Sequence, residues 1–223
     1  MPETAYDLLT FDCYGTLIDW RGGIADAFER AAAELDVSVE RERILALHAE
    51  IEPAVQADGF RPYREVLEET ARRIGGELGW PTPAAGWSFL PDSLARWQPF
   101  PDTVAGLRRL REAGLALGIL SNVDDDLIAA SLDLLEVEFE FVVTAQQVRA
   151  YKPARPHFDA GRERAAGRRW LHVAQSVFHD IAPASELGVP GVWINRLGEP
   201  GDSRPIATHP DVAALAASLG GAR

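Results

Sequence analysis

The stretch Leu8-Leu9-Thr10-Phe11-Asp12-Cys13-Tyr14-Gly15-Thr16 decides how this chain folds. A short, largely apolar run leads straight into an acid, and a glycine and a hydroxyl residue follow closely. A buried strand that ends this way delivers a carboxylate to the C-terminal rim of a parallel sheet, where open α/β folds bind their ligands. Gly15 permits a tight turn, and Thr16 places a hydroxyl beside Asp12. The acid is thus a candidate nucleophile or metal ligand. Tyr14, and not a second acid, stands two positions after Asp12, which disfavours chemistry needing a carboxylate pair on this loop. Cys13 alternates away from Asp12 along the strand period and reads as core filler.

Working outward, the chain changes texture twice. Residues 24–36, 39–55 and 63–75 carry apolar side chains at helical spacing, and 88–97 suits a shorter helix. Nothing in 22–97 alternates like a strand. After Pro99-Phe100-Pro101-Asp102 the pattern becomes an alternation of helices and short apolar runs. Strands are expected at 115–120, 139–143, 172–177 and 191–195, with helices at 103–113, 124–134, 155–166, 182–187 and 212–219. The segment 198–210, rich in Pro and Gly, reads as a loop. Such alternation predicts an α/β fold with a doubly wound parallel sheet, and the first strand needs these later ones as neighbours. The expected organisation is a core of 1–18 and 98–223, with an all-helical cap, 19–97, inserted above the first strand's rim.

Composition narrows the partners. The 223 residues hold 22 Lys and Arg against 34 Asp and Glu, a formal net charge of −12. That balance argues against nucleic acid or an anionic membrane surface, while a few local cations would still hold a small anion. One cysteine excludes an intrachain disulfide and suits a reducing cytoplasm. No signal peptide or membrane-spanning apolar run is visible. A homodimer is left open.

The residues just after each expected strand share one rim. They are Asp12, Ser121-Asn122, Lys152 in Tyr151-Lys152-Pro153, then Gln175-Ser176 with His179-Asp180. Each has a plainer alternative: Ser121, Asn122 and Asp180 suit helix caps, and His179 is as readily structural as catalytic.

D-x-x-G-T after the first strand, S-N after the second, K-P after the third and a late Asp before Ile181-Ala182-Pro183-Ala184 resemble the four ordered motifs of the haloacid dehalogenase superfamily. The resemblance covers nearly the whole chain and implies a Rossmann-like core. The D-x-Y-G-T form is similar to the 2-haloacid dehalogenase (type II) branch, which works without metal. It implies Asp12, Thr16, Lys152 and Asp180 as catalytic, with no cofactor. Tyr14, Ser121, Asn122, Gln175 and His179 would bind a small carboxylate substrate. By its own chemistry the loop Phe60-Arg61-Pro62-Tyr63, aromatic surface beside a cation, adds Arg61 to that binding set, unless Phe60 and Tyr63 only staple the cap helices together. The expected reaction forms an aspartyl ester with a 2-substituted carboxylic acid, which water then hydrolyses. The branch's usual Ser and Asn ahead of the last Asp are replaced by Gln175 and Val177, and Phe158 stands where a Tyr usually lies. Its cap arginine has no evident counterpart: the comparable stretch offers His48, Glu50 and Glu52, with Arg41 and Arg43 slightly earlier. Two alternatives remain, a Mg-dependent small-molecule phosphatase of the same superfamily and a non-catalytic small-acid binding protein.

Overall fold

The computed structural model describes residues 5–201 and 205–220. Strand β1 (Leu8–Phe11) is followed by helices α1 (Trp20–Glu34), α2 (Arg41–Ala57) and α3 (Tyr63–Glu77), then by two 3-10 turns, Gly86–Phe89 and Pro91–Arg96. The rest alternates: α4 (Thr103–Glu112), β2 (Ala116–Ser121), α5 (Asp125–Leu135), β3 (Phe141–Thr144), α6 (Ala145–Val148), α7 (Pro156–Ala165) and β4 (Trp170–Ala174). After a wide π-type turn at Val177–Ile181 come α8 (Ala182–Glu186), β5 (Gly191–Ile194), β6 (Ala207–His209) and α9 (Val212–Gly220).

The strands form one sheet in the order β3-β2-β1-β4-β5-β6, and every neighbouring pair is parallel. This is the doubly wound, Rossmann-like α/β arrangement. β1 lies centrally, with chain reversal on either side of it, so its C-terminal end opens at the switch point where such sheets bind ligands. All four β1 residues are buried, as a strand covered on both faces requires. Leu8 and Thr10 face one side with Trp170 and His172 of β4, their register partners. Leu9, Phe11 and Cys13 fall into the large apolar cluster on the opposite side.

That cluster continues into the helical insertion through Ile24, Phe28, Ile44, Leu67 and Ile74, so both parts share one apolar interior. Two features set the insertion's approach. Gly23 on α1 receives the Trp97 ring so closely that a Cβ would lie 2.3 Å from it. From the core side, Asp124 accepts from the backbone N–H groups of Tyr63 (2.9 Å) and Arg64 (2.8 Å), capping α3 across the interface.

Three local expectations change. The helix expected at 88–97 is two 3-10 turns, with Pro91 opening the second. The strand expected at 172–177 stops at Ala174, which frees Gln175 and Ser176 for the rim. Of the expected loop 198–210, residues 202–204 lie outside the described residues, and the part after them contains β6, whose three residues at the sheet edge are too few to show a period.

Candidate active site

At the rim, β1 ends in Asp12, and Gly15 turns the chain with φ +98. The turn brings the Thr16 hydroxyl back to donate to Asp12 Oδ2 at 2.8 Å, while the backbone N–H of Gln175 donates to Thr16 Oγ1 at 2.8 Å. The loops after β1 and β4 are tied together at the acid itself.

Lys152 reaches the same point from the loop after β3. Asn122, after β2, clasps its backbone from both sides: Lys152 N donates to Asn122 Oδ1 (2.7 Å) and Asn122 Nδ2 donates to Lys152 O (3.1 Å). The ammonium then donates to Asp12 Oδ1 (3.0 Å), Asp180 Oδ1 (2.6 Å) and the Leu120 carbonyl (2.8 Å). An ammonium has three protons, so Lys152 is fully committed, and it is only 1% exposed.

Electrostatics follow from this enclosure. Burial raises the Asp12 carboxyl from its ordinary value and Lys152 pulls it back. For Asp180 the burial penalty is outweighed by Lys152 and by the His172 hydrogen bond, which hold it down to about 2. Burial also opposes the charge on Lys152, yet Asp12 and Asp180 together keep its pKa raised. Directly behind the rim, the buried Cys13 thiol is pushed well up by burial and by Asp12.

A cavity of about 290 Å³ opens over this group. Of the residues singled out in the sequence, Asp12, Tyr14, Ser121, Asn122, Lys152, Gln175, His179 and Asp180 line it. Thr16 lies just beneath, in contact with Asp12. Tyr14 turns its hydroxyl to Ser131 Oγ (3.1 Å) and packs edge-on against Trp97. Ser121 Oγ is buried with no hydrogen-bond partner among the described residues, a neutral donor at the cavity. His179 shares a hydrogen bond with Ser176 Oγ (3.1 Å), and burial lowers its pKa. Arg61 is not brought into the cavity: its guanidinium leans on Asp58 at 3.9 Å and its carbonyl accepts from Tyr151.

The opposite wall comes from the insertion. His48, Ala49, Glu52, Pro53 and Gln56 form one face of α2, and Tyr63 closes it from α3. Spacing of three and four residues puts these positions on one stripe. Burial lifts the Glu52 carboxyl to about 7 and drops His48 to about 4. Gln56 donates to Glu52. Pro53 has no N–H, so the Ala49 carbonyl four residues earlier loses its helical donor at the cavity edge. Among the described residues no arginine lines this cavity. Arg41, a possible substitute for the missing cap arginine, is bound to Asp26 and Glu29 instead.

Sequence reasoning passed over His172, in the middle of β4. Its Nε2 lies 2.9 Å from Asp180 Oδ1 and its Nδ1 2.9 Å from Thr10 Oγ1. A histidine inside an apolar strand run was the only signal in the sequence, and its pairing with Thr10 appears only in the sheet register.

The donor set does not fit a divalent cation. Magnesium needs several oxygen ligands, whereas Asp12 and Asp180 already share an ammonium and Gln175 supplies no charge. No group of three or more His, Cys, Asp or Glu suited to a metal is found among the described residues. No helix among them is long and apolar enough to cross a membrane.

The family described as haloacid dehalogenase-like hydrolase matches residues 6–188. Haloacetate dehalogenase H-2 of Moraxella sp. (strain B) is 28% identical over 200 residues, spanning 86% of this chain and 87% of the relative. A phosphoglycolate phosphatase of Caulobacter vibrioides is 29% identical over 206 residues, spanning 86% of this chain and 82% of its own. Among solved structures, an L-2-haloacid dehalogenase superposes with a TM-score of 0.82 at 26% identity, covering 96% of this chain and 98% of that one.

Proposed function

We propose a reaction on one premise: the chain belongs to the haloacid dehalogenase-like hydrolases, and so is a hydrolase. Within that family we read it as a metal-independent enzyme that attacks carbon, in the manner of the 2-haloacid dehalogenases it is similar to. The observation that carries this reading is the closed hub of Asp12, Lys152 and Asp180, with Tyr14 in place of a second acid. Phosphoryl transfer needs positive charge around the transferred oxygens. Here the one ammonium is spent on holding carboxylates.

In this reading Asp12 is the nucleophile. One carboxylate oxygen forms a bond to a saturated carbon of a small 2-substituted acid, and the leaving group departs with the bonding electrons. Lys152 keeps Asp12 ionised and fixed in direction. Thr16 stays bonded to the second oxygen and steadies the charge that builds there during ester hydrolysis. Asp180 takes the proton of the attacking water. Ser121 Oγ holds the substrate carboxylate or leaving group. Asn122 acts chiefly through Lys152, because its side chain is occupied by that loop. Tyr14, Gln175 and His179 shape the cavity's edge, and Arg61 has no part in it. The segment 19–97 serves as a cap that excludes water while the ester forms.

The test is halide release from chloroacetate, fluoroacetate and 2-chloropropionate without added metal, with heavy-oxygen water to label Asp12. Halide release and label in the Asp12 peptide are expected. Magnesium-dependent hydrolysis of p-nitrophenyl phosphate, with no halide from any of the three acids, would reject the reading.

A further inference from the structure

The two oxygens of Asp180 have different surroundings. Oδ1 receives Lys152 Nζ at 2.6 Å and faces His172 Nε2 at 2.9 Å. Oδ2 is buried and has no hydrogen-bond partner among the described residues, while the residue itself lines the cavity. A carboxylate with one oxygen doubly held and the other free is oriented, and its free oxygen can take a proton from water.

What holds it is a one-way chain through the sheet. The Trp170 indole N–H can only donate, and it gives its proton to Thr10 Oγ1 at 2.8 Å. Thr10 is fully buried, so its own hydroxyl proton goes to His172 Nδ1, the other atom bonded to it among the described residues. An imidazole that accepts at Nδ1 carries its proton on Nε2. That proton points at Asp180 Oδ1. The strand register makes the chain possible: Thr10 and His172 are direct partners across β1 and β4. His172 is buried behind Asp180 and does not line the cavity, so it acts on the site through Asp180. Phe158 packs edge-on against its ring and fixes its plane.

We propose that His172 is a positioning residue for ester hydrolysis: it anchors Asp180 Oδ1 and so reserves Oδ2 for the hydrolytic water. The proposal rests on the aspartyl-ester reading above. In the step concerned, the water oxygen bonds to the carbonyl carbon of the Asp12 ester while one water proton passes to Asp180 Oδ2. The tetrahedral intermediate collapses as the bond from that carbon to the ester oxygen breaks. The departing alkoxide takes the proton from Asp180 and leaves as the alcohol. Asp12 is left as an acid that loses its remaining proton to solvent and regains its charge. Without His172 only Lys152 holds Oδ1, and the carboxylate can turn so that Lys152 occupies either oxygen. Ester formation, which does not use Asp180 as base, is spared.

The experiment follows both half-reactions with bromoacetate as probe, using rapid quench for bromide and intact mass for carboxymethylated protein. His172→Phe keeps a ring in the core but removes the donor. It should leave first-turnover bromide release within about two-fold of the parent. Steady-state turnover should fall about 10- to 100-fold, less than the full loss of a general base, and the Asp12 ester should accumulate. His172→Gln, whose amide restores a donor, should recover much of the turnover. A parallel fall of both phases, or no change in either, would overturn the positioning role. Nitrogen-15 NMR of the unliganded parent reads the tautomer directly and requires no core substitution to fold. An Nε2–H imidazole that shifts in Asp180→Asn is expected, and an Nδ1–H imidazole overturns the anchoring alone. A parent that releases no bromide overturns carbon attack, and the hydrolytic role with it.

Discussion

The sheet rim and the helical wall face each other across one cavity but are built by opposite means. The rim gathers full charges and satisfies them: two carboxylates and one ammonium exchange short hydrogen bonds, with Thr16 and His172 behind them. The helical wall gathers polar groups whose charge burial suppresses: a carboxyl raised to about 7, an imidazole lowered to about 4 and a phenol held well above its usual value. A site of this kind divides its labour. Fixed charges where bonds change cost little reorganisation. A neutral, adjustable wall is suited to recognising a substrate by shape and hydrogen bonds.

The hardest blow to this division would come at the rim. Lys152→Met leaves Asp12 and Asp180 buried together without a counter-charge, and removing one partner of such a group costs about 3–5 kcal/mol. Urea denaturation at neutral pH should show that loss, and turnover should vanish with it. A loss below ~1 kcal/mol would mean the hub is not the closed unit its geometry describes.

Glu52 sharpens the contrast from the other side. Its folded carboxyl sits at about 7, raised from an ordinary 4.5 by burial. The folded chain retains a proton that the unfolded chain releases above 4.5. The stability this contributes is complete below about 4.5, falls as pH rises and is gone above about 7. The full span is about 3 kcal/mol. Glu52→Gln should flatten that slope in denaturation curves compared at pH 5 and pH 8. An unchanged slope would show that the wall carries an ordinary exposed acid.

The link between the two regions should have a smaller effect. Asp124 belongs to the core yet caps α3, so Asp124→Ala should cost about 1–2 kcal/mol and raise KM more than it lowers kcat. Smallest of all is His48, whose Nε2 is buried without a partner among the described residues. His48→Leu removes that group and should gain about 1 kcal/mol in thermal denaturation, since unsatisfied buried polar atoms are costly.

The same contrast explains what could be read from the sequence. Asp12, Ser121, Lys152 and Asp180 were legible because parallel strands end on one rim, so linear order translates directly into proximity. Tyr14 was legible as an absence of acid. Three things were not. His172 sits inside a strand, where only the β1 pairing reveals that its neighbour is Thr10. The stripe His48, Glu52, Gln56 has ordinary helical spacing, and its orientation over Asp12 depends on how Trp97 seats against Gly23. Arg61, in a loop beside Phe60, looked suited to an anion, but a loop carries no period to say which way its side chain turns, and Asp58 takes it.

Cys13 has a practical consequence. The chain has one cysteine and one methionine, and the thiol is buried under the rim with its ionisation suppressed by burial and by Asp12. Thiolate is the form that alkylating agents capture, so a reactive halide offered to the native protein meets almost no competing sulfur. Mass gained under such labelling is therefore not carried by the cysteine, and a cysteine-free variant is not needed to establish that. The protein comes with its own blank for covalent profiling, and a library of electrophiles could be screened against it unmodified.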